Sequence, residues 1–463
     1  MVTLPKPAPT ITEALADWCI KVAAADLPAD LRHATEQRLL NVIGVALAAG
    51  ARPQGQVAAE AALALGAPGP CHILGKSDVT LATSAAFANG SMASALAFDD
   101  SQTETLIHCT YTTAATALAL AEWKGIAGPE VLLAIALGNE VICRIGAVAP
   151  GQFHRNGFHP TGIIGAFGAT FVAGRLLGLD AAGLVHAAGI VGTLASGSNE
   201  CWRDGSWAQI VDPGWASQAG ITAAVLAAKG FSGPAAVLEG SFGLFPSHVQ
   251  DRDYALNYVR AAAALGEVWE SRNIAIKPYP TGHVSIPFVD CALELHAKGV
   301  GAERIRRVTC HVAQWITPVV CEPAAEKKRP STDWHCRVSL PFTVAETLCF
   351  GRLEASAYSA ENRADPALLA LAQKVDYVID PDAPRDERYK GWVAVELDDG
   401  TRLESIHFHG RDDHMSDDQL VAKLRSCLLG TPAEGKAEAL RSAVMGLAQG
   451  GSVAAIFATA AGR

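Results

Sequence analysis

Up to about residue 265 the chain is patterned as helix after helix. Ile11–Ala25, Leu31–Ala49, Gln56–Leu65, Ser84–Ala97, Thr112–Lys124, Pro129–Ile145, Gly162–Leu177, Ala181–Leu194 and Trp215–Lys229 are long apolar segments without the alternation of strands. Several close on a glycine turn, at Ala49-Gly50, Lys124-Gly125 and Lys229-Gly230. Their apolar residues cover more than one face, which predicts helices buried in a multi-helix bundle. Gly162, Gly165, Ala166 and Ala169 are small enough to let neighbouring helices approach closely. Near Glu267 the texture changes. Val308, Cys310 and Val312 alternate with polar neighbours within Arg304–Trp315, as in a half-buried strand. Lys374–Ile379, Trp392–Leu397 and Arg402–Phe408 also read as strands, the last two joined by a hairpin turn at Asp398-Asp399-Gly400-Thr401. Ile286–His296, Val344–Cys349, Asp417–Leu428 and Ala433–Leu447 read as helices. The expected fold is mainly α: a large all-helical domain at 1–266, completed by 409–463, plus a smaller α+β lid domain at 267–408.

Composition narrows the function. Half of the 463 residues are apolar and 18% are charged, the balance of a protein with a large core. The net charge of −10 argues against nucleic acid and against anionic lipid as partners. No run reaches the length of a spanning helix, and the N-terminal segment shows no leader-like apolar stretch. The eleven cysteines include no C-x-x-C pair, so reduced, buried thiols and a cytoplasmic location are expected. Neither a dinucleotide-binding nor a phosphate-binding glycine loop is present.

Four polar clusters interrupt this apolar chain. Asp99, Asp100 and Ser101 precede His108; the carboxylates can orient a histidine, bind a metal or solvate a helix end, and Ser101 can cap a following helix. His159 stands before Pro160, which forces it into an extended conformation at the start of an apolar helix. Lys277, Tyr279 and His283 lie in a proline-stiffened stretch at the expected domain boundary, where ligand clefts are common. Trp202 to Gln209 forms a polar loop among helices. His407 and His409 alternate on one strand face, a spacing that can ligate a metal, but the sequence offers no further ligand apart from His414, so a zinc site is the minor reading.

Taken in order, these motifs resemble the MmgE/PrpD family, whose members include 2-methylcitrate dehydratase, cis-aconitate decarboxylase and iminodisuccinate epimerase. The resemblance runs from Leu40-Asn41-Val42-Ile43-Gly44 through Phe98-Asp99-Asp100, His108, Gly157-Phe158-His159-Pro160-Thr161, Gly214-Trp215-Ala216 and Lys277-Pro278-Tyr279-Pro280 to Ser339-Leu340-Pro341-Phe342. It implies a helical domain built from both chain ends, an α+β lid, a homodimer, an interdomain active site and no metal or organic cofactor. By the same resemblance His108, His159 and Lys277 are the catalytic candidates. Asp99, Asp100, Ser101, Gln209, Tyr279, His283 and Phe342 are the substrate-binding candidates. Four positions depart from the family pattern. Ala97 replaces the first Asp of D-F-D-D-T, Gln209 and Asp212 replace the Lys and His of K-x-x-H-P-G, and Phe342 replaces the Tyr of S-x-P-Y.

The expected activity is that of a cofactor-independent hydro-lyase on a 2-methylcitrate-like hydroxy di- or tricarboxylate. Proton abstraction next to a carboxylate would be shared by the two histidines, with Lys277 pairing a substrate carboxylate. Decarboxylation of a cis-aconitate-like acid and epimerisation of an iminodisuccinate-like one use the same groups. Readings from other classes are a non-catalytic binder of a small anion and a metal-dependent hydrolase.

Overall fold

The computed structural model describes residues 8–384, 388–411 and 413–462. Residues 1–7, where the reading of no leader-like stretch begins, lie outside them. Helices of eight or more residues are numbered here. They are α1 Ile11–Lys21, α2 Ala29–Gly50, α3 Pro53–Leu65, α4 Ala82–Ser94, α5 Thr110–Lys124, α6 Gly128–Gly146, α7 Pro160–Leu176, α8 Ala181–Val191 and α9 Asp212–Ala228. There follow α10 Ile286–Ala297, α11 Leu340–Phe350, α12 Pro366–Gln373, α13 Asp417–Leu428, α14 Ala437–Met445 and α15 Val453–Ala460. The strands of three or more residues are β1 Asp100–Gln102, β2 Ile274–Ile276, β3 Ile305–Val312, β4 Val375–Ile379, β5 Arg388–Leu397 and β6 Arg402–Gly410. The protein is therefore mainly helical with a smaller α+β part, as the texture of the sequence implies.

Three apolar clusters organise it. One joins Leu39, Ile43 and Leu47 of α2 with Met92 of α4, Leu118 of α5, and Leu420, Leu424, Leu440 and Ile456 from the C-terminal helices. Gly44 makes the α2–α13 contact possible: a Cβ there would lie 2.6 Å from Leu424 Cδ1. A second cluster packs α1, α6, α7, α8 and α9 around Phe167, Ile142 and Leu184. The third fills the α+β part, where Phe288 and Leu295 of α10, and Phe342 and Leu348 of α11, meet Val308, Val393 and Val395 of the sheet.

The sheet order is β4-β3-β5-β6, with β3 and β4 parallel and the other pairs antiparallel. β5 alternates strictly, Tyr389, Gly391, Val393, Val395 and Leu397 facing inward, which is why its pattern was readable. It begins four residues earlier than the sequence suggests, because Arg388 to Gly391 continue the ladder with β6 up to Gly410. The hairpin closes through Gly400, whose φ of +84° favours glycine.

Some helix ends differ from expectation. α1 stops at Lys21, where Val22 turns extended. α4 stops at Ser94 rather than Ala97: Ala97 takes a φ of +46°, which ends the helix and swings the chain toward β1. Ser101 does not cap a helix but lies in β1; α5 starts nine residues later, at Thr110. Among the described residues no helix is long and apolar enough to cross a membrane.

Candidate active site

The site is assembled by the antiparallel pair β1–β2, which sets Asp100 opposite Ile276 and Ser101 opposite Ala275. The ladder runs one residue further, the Lys277 N–H donating to the Asp99 carbonyl at 3.0 Å. Lys277 and Asp99 are thereby neighbours, with Nζ 3.0 Å from Oδ1 and both side chains 2% exposed. The other carboxylate oxygen, Asp99 Oδ2, lies 2.6 Å from His108 Nδ1. Burial alone would push the Asp99 carboxyl up; His108 and Lys277 outweigh it and hold that group well below the ordinary carboxylate range. His108 Nδ1 donates at 2.9 Å to the Asp100 carbonyl. A carbonyl can only accept, so Nδ1 carries the proton and Nε2 is the basic nitrogen of the neutral ring. Asp100 itself turns to α5, where Oδ1 accepts from the Thr110 N–H at 3.2 Å. Its burial pushes that carboxyl up.

His159 is the N-cap of α7, extended at φ −87° and ψ 102°, with Pro160 in the first helical position. Its Nδ1 is 2.8 Å from Asp212 Oδ2, at the start of α9. Burial lowers the His159 pKa, while Asp212 draws it upward. The His108 and His159 rings lie 6.2 Å apart at 50°. Thr161 ties their segments together, its Oγ1 accepting from the His108 N–H at 3.1 Å. Tyr111 stacks on His108 at 5.8 Å.

Around this centre Ser101 Oγ is 2.6 Å from His283 Nδ1. Burial holds the His283 pKa well below its ordinary value, and its Nε2 finds no partner among the described residues. Lys423 of α13, which the sequence reading did not single out, donates to the carbonyls of Phe98 and Lys277, each at 2.7 Å. It therefore holds the backbone on either side of the Asp99–Lys277 pair. Its burial pulls its pKa from 10.5 down to about 7.

Lys277, Asp99, His108 and Asp100 are thus directly linked, the His159–Asp212 pair lies beside His108, and Ser101 and His283 form a separate pair. The other candidates have different partners. Gln209 is buried, with Oε1 accepting from Trp202 Nε1 at 2.9 Å and Nε2 3.5 Å from Asn199 Oδ1. The Tyr279 hydroxyl donates to Asp290 at 2.7 Å. Phe342 is fully buried in the core of the α+β part, 6.4 Å from the Tyr358 ring. A cavity of about 520 Å³ is lined by Phe98, Ile276, Pro278, Tyr279, His409 and Lys423, among others. These include sequence neighbours of Asp99 and Lys277 rather than those two residues themselves. Among the described residues no three His, Cys, Asp or Glu side chains are grouped to hold a metal ion. His407 instead pairs with Glu294 at 2.7 Å.

Comparison with known proteins matches residues 13–257 to the MmgE/PrpD N-terminal domain and residues 279–449 to the MmgE/PrpD C-terminal domain. The chain belongs to the MmgE/PrpD family. Cis-aconitate decarboxylase of Aspergillus terreus is 25% identical, over 94% of this chain and 93% of its own length. The cis-aconitate decarboxylase-like protein oryM of Aspergillus oryzae is 23% identical, over 100% of this chain and 99% of its own.

Two partners within the site escaped the sequence reading. Asp212 registered only as the replacement of a family histidine, and nothing in the intervening residues signals that it reaches His159. Lys423 lies on an amphipathic helix where a lysine ordinarily faces water.

Proposed function

We propose that this MmgE/PrpD-family protein is a cofactor-independent lyase that acts on a small carboxylate, and that it decarboxylates a cis-aconitate-like acid. Full-length similarity to proteins named for cis-aconitate decarboxylation supports this reaction ahead of the dehydration first expected. The observation that carries the chemistry is the pair of imidazoles 6.2 Å apart, of which His108 shares Asp99 with the buried Lys277 ammonium.

Loss of CO₂ from a β,γ-unsaturated acid breaks a C–C bond and leaves its electron pair on the carbon skeleton. The pair is delocalised toward the remaining carboxylates until a proton reaches carbon. An imidazolium at His108 or His159 delivers that proton from Nε2 and is recharged from solvent, so each turnover takes up one proton. Lys277 shares its charge between Asp99 and a substrate carboxylate, which stabilises developing negative charge where water is excluded. Asp99 and Asp100 position His108, and Ser101 and His283 hydrogen-bond the substrate. Tyr279 lines the neighbouring cavity, while Gln209 and Phe342 act through the packing behind the site rather than as the substrate contacts the resemblance implied. The enzyme works as a homodimer in the cytoplasm, a location that its eleven free cysteines, ten of them buried, support.

A second reading, a smaller acid, is favoured by Gln209. Its amide is engaged with Trp202 and Asn199 and supplies no cation for a further carboxylate. Proton NMR in D₂O separates these outcomes with a panel of unsaturated and hydroxy di- and tricarboxylates. Carbon loss with one deuterium incorporated on cis-aconitate is the expected result. The same result on a dicarboxylate alone selects the smaller acid. A new vinyl signal from a hydroxy acid would transfer the reading to dehydration, and silence across the panel would overturn the lyase reading.

A further inference from the structure

The family pattern implied by the sequence makes Asp212 a departure, a carboxylate where a histidine is usual. The structure gives it a specific partner. α7 and α9 pack so closely that a Cβ on Gly220 of α9 would lie 2.6 Å from the Ala169 Cβ of α7. Their first residues consequently meet. His159, the N-cap of α7, presents Nδ1 to Asp212, which opens α9, at 2.8 Å. The surrounding backbone leaves no slack. A Cβ on Gly162 would stand 2.3 Å from the Ser196 carbonyl and 3.1 Å from the Asp212 Cβ. A Cβ on Gly197 would stand 2.7 Å from the His159 carbonyl and 3.3 Å from Asp212 Oδ2. The His159 N–H also donates to the Gly197 carbonyl, at 3.3 Å. Two glycines, Gly162 and Gly197, thus stand directly against the pair.

We infer that Asp212 is a positioning residue for His159: it fixes the proton on Nδ1, so that Nε2 is the nitrogen that exchanges a proton with substrate. The assignment rests on the lyase reading for its catalytic consequence, though not for its structural one. A carboxylate accepts only, so the shared proton stays on Nδ1 in the neutral ring and the opposite tautomer is disfavoured. The groups that bear on His159 are Asp212, His108, Asp99 and His154. Tyr111 faces the same region from α5. Among the described residues, Asp212 is the partner of Nδ1. The two catalytic candidates then share a design: each has its Nδ1 fixed by an acceptor and its Nε2 left for chemistry.

The test is ¹⁵N NMR of imidazole-labelled full-length protein, with His159 assigned through the His159→Gln variant. The wild type should show His159 as the Nδ1–H tautomer and Asp212→Asn a mixed or Nε2–H ring, because an amide can donate to Nδ1. With cis-aconitate as the probe substrate, Asp212→Asn should lower kcat by about 10–100-fold with KM changed by less than about threefold, the range of lost second-layer partners of a working histidine. Asp212→Glu should recover most of that loss. A wild-type ring protonated on Nε2, or an Asp212→Asn protein with wild-type tautomer and kcat, would overturn the assignment. If cis-aconitate and the rest of the panel are inert, the lyase reading fails, while the wild-type tautomer still decides the role of Asp212.

Discussion

His108 is fixed by groups from two regions of the molecule, His159 by groups from one. The His108 corner needs Asp99 from the helical part and Lys277 from the strand that leads into the α+β part, joined by the β1–β2 ladder and held by Lys423. The His159 corner needs α7, α9 and the Ser196-Gly197 segment before α9, all within the helical part. Stability and chemistry are therefore coupled at the first corner and separable at the second. A charged pair that is 2% exposed cannot lose one member without leaving the other buried and short of its counter-charge. A histidine–carboxylate pair at helix ends, with Asp212 17% exposed, can.

The strongest test of that contrast replaces one residue in each corner. Lys277→Ala should lower kcat/KM by about a hundredfold or more and cost about 3 kcal/mol or more of stability, since Asp99 stays buried with one cation fewer. His159→Gln keeps a donor for Asp212 and should cost about 1 kcal/mol or less, while lowering kcat/KM by about as much as Lys277→Ala. Activity assays paired with chemical denaturation read both effects. Equal destabilisation by the two variants would break the comparison.

A smaller effect comes from Lys423→Met, which leaves two buried carbonyls without their donor. It should cost about 2 kcal/mol and lower turnover through the displaced Lys277 backbone. The same variant carries a pH signature. Burial lowers the Lys423 pKa from 10.5 to about 7, so between these values the unfolded chain holds a proton there that the folded protein has released. The contribution of Lys423 to stability therefore rises with pH from about 7 toward 10.5. Melting curves of wild type and variant from pH 7 to 9 should diverge in that direction. The smallest effect is expected from Tyr279→Phe, which removes only the hydrogen bond to Asp290, about 1 kcal/mol, and should leave kcat/KM within about threefold. A loss of tenfold or more would move Tyr279 into the reacting network.

The sequence was most legible where one physical signal dominated. Apolar runs located the helices, the alternation of Val308, Cys310 and Val312 located β3, and His159 before Pro160 placed a histidine at a helix start. β1 and β2 were invisible because three buried residues each, Asp100–Gln102 and Ile274–Ile276, are too short for any period to show. Yet that pair sets Lys277 beside Asp99. Asp212 and Lys423 were missed for a related reason: their partners lie 53 and 146 or more residues away, at His159, Lys277 and Phe98, and no local pattern encodes such contacts. Family resemblance gave the order of the motifs, and the fold supplied their pairing.

The β1–β2 ladder also sets a timetable. A ribosome making this chain produces Asp99, His108, His159 and Asp212 well before Lys277, and Lys277 well before the helix that carries Lys423. The His159 corner can settle as soon as the helical segments up to Ala228 have emerged. The Asp99 carboxylate must wait for its ammonium, and that ammonium must wait for α13. Competence therefore arrives late, and a chain interrupted between Lys277 and Lys423 carries the His159 corner but a charge pair that α13 has not yet latched.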